Sequence, residues 1–185
     1  MQHTGNIKLQ TNQYNTYANF RATVLGNGYD WDGAYGDQCW DGVQLLYGQY
    51  GELLQTGPNQ SAYECWTVSA DKNATVHFEK ITDVKSIKQG DIIVFSNTWY
   101  PPYGHIGFAD HNYTAGNMRV LGQNQGGPAY PGGGAFFNLT EMPSSYIIGA
   151  FRPVEWKVAP KPEPGQSKKR KKFPWAIAWR HWYKF

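Results

Sequence analysis

The stretch Asp30-Trp31-Asp32-Gly33-Ala34-Tyr35-Gly36-Asp37-Gln38-Cys39-Trp40-Asp41 holds one cysteine, four carboxylates and two glycines in twelve residues. An apolar run follows at once, with Val43, Leu45, Leu46, Tyr47, Leu53 and Leu54, and predicts a helix from near Cys39 to about Leu54. The cysteine therefore stands where a polar, Gly-rich loop enters a helix. The partial positive charge of a helix N-terminus favours a thiolate, and the thiolate is the nucleophile, so Cys39 is a candidate for covalent chemistry. The carboxylates ahead of it have two readings. They suit a hard cation such as calcium, which takes about six to eight oxygen ligands, or they form an acidic turn of the Asx type.

Upstream of this loop, Tyr14, Tyr17, Phe20 and Val24 recur at helical spacing and predict a helix over 12–25, stopped by Gly26-Asn27-Gly28. Residues 1–11 are polar. Downstream, Thr56-Gly57-Pro58-Asn59-Gln60 breaks the chain, and residues 60–73 read equally as helix or strand. From residue 74 the period changes. Strands are predicted at 75–78, 91–95, 106–109, 118–121, 135–139 and 146–152, with a turn region at 83–90 and a Gly-rich loop at 126–134. Helices first and short strands afterwards indicate an α+β fold with an antiparallel sheet. Residues 1–153 then form the folded domain. Residues 154–172 read as a Pro/Lys-rich linker ending in Lys168-Lys169-Arg170-Lys171-Lys172, and 173–185 as a short basic, aromatic, cationic C-terminal tail.

The totals bound the possibilities. With 185 residues the chain suits one domain plus an appendage. The net charge of +3 conceals an asymmetry: eight Lys/Arg and one Glu from residue 161 onward leave +7 there and −4 on the rest. Such a cationic block seeks anionic surfaces, and Trp175, Trp179 and Trp182 would share a helix face suited to an interface. No apolar run is long enough to span a bilayer, and the N-terminus lacks the apolar segment of a secretory signal, so synthesis in a cytoplasm is expected. Two cysteines, Cys39 and Cys65, do not make a disulfide framework. One nucleophile and one buried, inert thiol is the preferred reading.

A thiol nucleophile needs a base within hydrogen-bond reach, and the base needs a group that orients it. Among His3, His77, His105, His111 and His181, His105 stands out, because it lies between glycines in Tyr103-Gly104-His105-Ile106-Gly107 at the start of a strand. His77 alternates with Val76 and Phe78 and reads as a surface strand position. Gln123 and Asn124, at the end of Val120-Leu121-Gly122-Gln123-Asn124, are candidates to orient the imidazole. Gln38 and the main-chain N–H of Cys39 are candidate oxyanion donors.

Taken together, Gln38-Cys39-Trp40-Asp41, Gly90-Asp91-Ile92-Ile93-Val94-Phe95, Gly104-His105-Ile106-Gly107 and Gln123-Asn124, in that order, resemble the CHAP domain (cysteine, histidine-dependent amidohydrolase/peptidase) of bacteriophage endolysins over residues 12–153. The resemblance implies a papain-like fold with N-terminal helices packed on the sheet. It implies a peptidoglycan hydrolase, amidase or endopeptidase, with Cys39 as nucleophile and His105 as general base. In phage enzymes of this kind the strand after the histidine often reads Glu-x-Asn. Here Gly122 takes the Glu place while Asn124 remains, so Asn124 is the expected third member and Gln123 its substitute. The resemblance also implies a calcium loop, with carboxylates from Asp30, Asp32 and Asp41 and main-chain carbonyls from Ala34 and Gly36, Asp37 being an alternative ligand. It implies action on the bacterial wall after release from the host cytoplasm. Nothing in the sequence asks for more than a monomer, the charge of the tail suits contacts with teichoic acids or anionic lipid, and no nucleic acid is expected as a partner. The rival readings are a catalytically silent wall-binding module and a membrane-active tail carried by the domain. An NlpC/P60-like peptidase fits less well, since the Asp-Cys-Ser-Gly usual there is absent.

Overall fold

In the computed structural model, residues 14–126 and 136–156 are described. The proposed linker from residue 157 onward, the tail and most of the Gly-rich loop lie outside the described residues. Thr16 opens the first helix, α1 (Tyr17–Val24): its hydroxyl accepts the Asn19 N–H at 3.1 Å, satisfying one of the free donors of the first turn. This cap explains why the helix begins later than the apolar spacing alone predicts. Tyr17, Phe20 and Val24 are buried on one face.

Helix α2 (Cys39–Gln49) is buried from Asp41 to Gln49, on every side rather than along one stripe. Its two buried amides are satisfied by main chain. Gln44 accepts the Leu54 N–H at 2.8 Å and donates to the Glu52 carbonyl at 2.9 Å, and Gln49 accepts the Tyr14 N–H at 2.6 Å. The helix ends at Gln49 rather than near Leu54, because the chain turns through Gly51 at φ +72° and Gln44 is bonded to the returning strand of chain. The segment that sequence left open forms two short helices, α3 (Glu64–Thr67) and α4 (Ala70–Asn73).

Among the described residues six strands follow: β1 (Phe78–Ile81), β2 (Ile92–Phe95), β3 (His105–Ala109), β4 (Asn117–Gly122), β5 (Asn138–Pro143) and β6 (Ile147–Pro153). They form one antiparallel sheet in the order β1-β6-β2-β3-β4-β5. The fold is α+β. Both faces of the central strands are covered, which is why Ile92-Ile93-Val94-Phe95 is continuously apolar. Ile92 and Val94 join Phe20, Leu46, Tyr47 and Phe108 under the helices. Ile93 and Phe95 join Met118, Val120 and Met142 on the opposite face.

Two strand expectations shift. Residues 75–77 are not in β1: Thr75 and Phe78 bond each other's main chain in a tight turn, and His77 instead stacks on Tyr50 at 4.2 Å with Nδ1 2.8 Å from Glu155. The strand expected at 135–139 begins at Asn138.

Candidate active site

Cys39 is the first residue of α2, and α2 packs across β3, whose first residue is His105. The two candidate catalytic residues are thereby brought to one edge of the helix–sheet interface, and the Ile106 N–H lies in hydrogen-bonding reach of the Cys39 thiol. Being first in its helix, Cys39 has a main-chain N–H without an intrahelical acceptor. Its thiol does not follow the expectation of a lowered pKa. Burial pushes it up to about 11, against the opposing effect of the Ile106 and Trp40 main-chain groups. Burial also pulls His105 down to about 4, with Gln125 working in the other direction. Both shifts favour the uncharged forms, a thiol and a neutral imidazole, and the neutral imidazole is the form in which His105 can accept a proton. Cys65 is a free, buried thiol, also pushed up by burial, as expected of an inert cysteine.

The glycines around His105 serve the protein's own packing. At Gly104, φ is +68°, and a Cβ would meet the Phe95 carbonyl oxygen and Tyr63 Cβ, each at 2.7 Å. A Cβ at Gly107 would meet Val120 at 2.8 Å. The imidazole is walled by Tyr100 and Phe95, with ring centroids 5.2 and 6.1 Å away, and its residue is 1% exposed. Trp99, Tyr103, Phe136 and Tyr35 are exposed aromatics on the neighbouring loops.

Three consecutive amides at the end of β4 each do something different. Gln123, fully buried, accepts the Tyr29 N–H at 2.8 Å and donates to the Tyr29 and Gln38 carbonyls at 2.9 Å, so it clamps both ends of the Asp-rich loop. Asn124, at φ +51°, donates to Gln38 Oε1 at 2.9 Å. Gln125 is the residue on the imidazole, with Oε1 2.9 Å from His105 Nε2. Neither Asn124 nor Gln123 bonds the imidazole, since both are spent on Gln38 and the loop. Gln125 was not foreseen from sequence; the signal was the pairing of a missing side chain at Gly122 with an extra amide three residues on. Gln38 donates to the Tyr35 carbonyl at 2.7 Å, and with Asn124 on its oxygen its amide is fixed next to Cys39 in the chain with one N–H to spare.

The Asp-rich loop is folded by its own carboxylates. Asp30 accepts the Gly33 N–H at 2.9 Å and Asp32 the Ala34 N–H at 2.8 Å. Asp41, 1% exposed, accepts the Trp31 N–H at 3.1 Å and the Gln38 N–H at 2.9 Å, which ties the loop to the first turn of α2. Each of Asp30, Asp32 and Asp41 presents a carboxylate oxygen within 4.8 Å of the others. Burial first, and then Asp32 and Asp30, push the Asp41 carboxyl up to about 6. Asp37 lies outside that triplet, and burial and Asp30 raise its carboxyl also.

A free cysteine at a helix start, a buried histidine opening the adjacent antiparallel strand, and an amide beside the cysteine agree with a sequence comparison: the profile of the CHAP domain matches residues 27–124, just over half of the chain. The chain belongs to the CHAP domain family. The match includes Cys39, His105, the aspartate triplet and Asn124, and stops one residue short of Gln125. This CHAP domain is also 33% identical over 150 residues to a D-alanyl-L-alanine endopeptidase of Streptococcus phage B30, an alignment covering 78% of this chain and 31% of that protein. The chain thus spans about a third of the length of that relative. Its fold is similar to that of the wild-type endolysin LysIME-EF1 in a crystal structure, with a TM-score of 0.58 and 24% identity over 77% of this chain and 66% of the other.

Proposed function

We propose that this CHAP domain is a cysteine-dependent peptidoglycan hydrolase that cleaves an amide bond of the bacterial cell wall, as endopeptidase or N-acetylmuramoyl-L-alanine amidase. The observation that carries the reading is the meeting of Cys39, at the start of α2, with the His105–Ile106 edge of β3. The kinship with a phage endopeptidase supports the substrate class.

His105, neutral at rest, accepts the thiol proton as the Cys39 sulfur attacks the carbonyl carbon. The carbonyl oxygen gains negative charge, which the Cys39 N–H and the spare N–H of Gln38 stabilise; one such donor is worth about 3–4 kcal/mol in the transition state. His105 returns the proton to the departing amine, leaving a thioester on Cys39. Water, deprotonated by His105, then releases the acyl group and restores the thiol.

Calcium is part of the proposal. The donor set is entirely oxygen, and the triplet concentrates negative charge that raises Asp41, so the residues fit a hard divalent cation. Asp30, Asp32 and Asp41 would supply carboxylates, and Ala34 and Gly36 main-chain carbonyls. Bound there, the ion supplies positive charge that stiffens the loop leading to Cys39. The cationic sequence beyond residue 160 supports added attraction to teichoic acids or anionic lipid, with the chain acting as a monomer.

Digestion of purified peptidoglycan, with the fragments read by mass spectrometry, tests the reading. New amine and carboxyl ends should appear with the wild-type chain and vanish with Cys39→Ala, whose circular dichroism should match the wild type. Cleavage that persists in Cys39→Ala would refute the mechanism.

A further inference from the structure

We propose that Gln125 is the positioning residue for His105, and that Gly122 is what admits it. The inference rests on the Cys39–His105 reading above and deepens it. The orientation of the Gln125 amide is fixed by its surroundings: Nε2 donates to the Val120 carbonyl at 2.8 Å, the Asn138 carbonyl at 3.0 Å and Asn138 Oδ1 at 3.2 Å. All three are acceptors. Asn138 is fixed in its turn, since its Nδ2 donates to the Gln125 carbonyl at 3.1 Å and its Oδ1 accepts the Thr140 hydroxyl at 2.8 Å. The Gln125 oxygen must therefore face His105, and an oxygen can only accept. His105 is held as the tautomer with its proton on Nε2, and the lone pair needed for proton abstraction is left on Nδ1.

Gly122 provides the room. A Cβ on residue 122 would lie 2.7 Å from Gln125 Oε1 and 3.6 Å from His105 Nε2. Any side chain there would displace the amide from the imidazole. Residues 122 and 125 thus make an exchange of space: the strand presents no side chain at 122, and the residue three further on fills that room beside the imidazole with an acceptor.

The exchange makes a sharp test possible. The atoms nearest a Cβ at residue 122 all belong to side chains, so Gly122→Ala should leave the backbone in place and give up only the hydrogen bonds of the Gln125 amide, uncoupling it from His105. The measurement is the 15N NMR spectrum of the His105 ring nitrogens, with kcat and KM on peptidoglycan beside it. The wild type should show one protonated Nε2 and one unprotonated Nδ1. Gly122→Ala and Gln125→Leu should both average the two tautomers and lower kcat roughly ten- to hundredfold with KM nearly unchanged. Asn124→Ala should leave the His105 ring signals in place. Ring signals unmoved in Gly122→Ala and Gln125→Leu, or moved by Asn124→Ala alone, would overturn the inference. Since the ring signals require no substrate, a wild type that shows the fixed tautomer but leaves peptidoglycan intact would refute the hydrolase reading and uphold the role of Gln125.

Discussion

His105 carries a cost that its proposed role explains. An imidazole with 1% exposure cannot be charged cheaply, and burial pulls it to about 4 from its ordinary 6.5. As pH falls below 6.5 the unfolded chain takes up a proton at this position while the folded chain resists until about pH 4. The contribution of His105 to stability is therefore complete above pH 6.5 and is lost as pH falls through about 4, with a slope of at most about 1.4 kcal/mol per pH unit. Asp41 acts in the opposite sense. Its raised carboxyl favours the folded state below the ordinary 3.8, and that contribution is lost as pH rises through about 6. Comparing variants separates the two. Urea midpoints measured between pH 7 and 4.5 should fall less steeply in His105→Leu than in the wild type; parallel pH profiles would show that His105 is not held neutral. The neutral imidazole is also the form that the proposed proton abstraction requires, so the same burial serves both roles.

At the scale of elements, the motif Gly90-Asp91 that opens β2 joins strands rather than performing chemistry. Asp91, 2% exposed, accepts from Arg152 Nε at 2.9 Å and from its terminal nitrogen at 2.7 Å, and it also accepts the Lys88 N–H at 2.8 Å. The pair binds the head of β2 to β6. Burial raises the Asp91 carboxyl even so, outweighing the lowering by Arg152. Desolvation thus exceeds the attraction, and the pair adds little net stability while being costly to break. Arg152→Ala should destabilise by about 3–5 kcal/mol in urea denaturation, because it strands a buried carboxylate; a loss under 1 kcal/mol would mean that Asp91 finds solvent. How much of this was legible in sequence follows the same division. Period and composition marked α1, α2 and the central strands, because each buries a face or a whole run. They missed the ends, which side chains set: Thr16 at α1, and Gln44 with Gly51 at α2. Cys39 before a helix and His105 among glycines were legible as candidates, and the structure places them at the start of α2 and of the adjacent β3. The imidazole's partner was not, because only the turn at Asn124 and the space at Gly122 decide which of three amides reaches it.

For the whole molecule, the Asp-rich loop is where the helical layer, the sheet and the site are joined. Gln123, just past β4, clamps the loop at Tyr29 and Gln38, and Asp41 in α2 clamps it at Trp31 and Gln38. An ion held by Asp30, Asp32 and Asp41 would therefore stabilise the folded domain as a whole, since the grouping exists only when these elements are assembled. Calcium at a hundredfold excess over its Kd should add about 2.7 kcal/mol. At roughly 2–4 °C per kcal/mol for a domain of this size, that corresponds to a rise in Tm of about 5–10 °C, reversed by EDTA. Asp32→Asn makes the discriminating variant. Its amide oxygen can still accept the Ala34 N–H that Asp32 holds at 2.8 Å, and the position is exposed, so the metal-free Tm should stay level or rise slightly as repulsion from Asp30 and Asp41 is relieved. The calcium-induced rise should shrink by more than half. A calcium response equal in Asp32→Asn and wild type would remove the triplet as the binding site, and no response in the wild type would leave these aspartates with only the role of folding the loop.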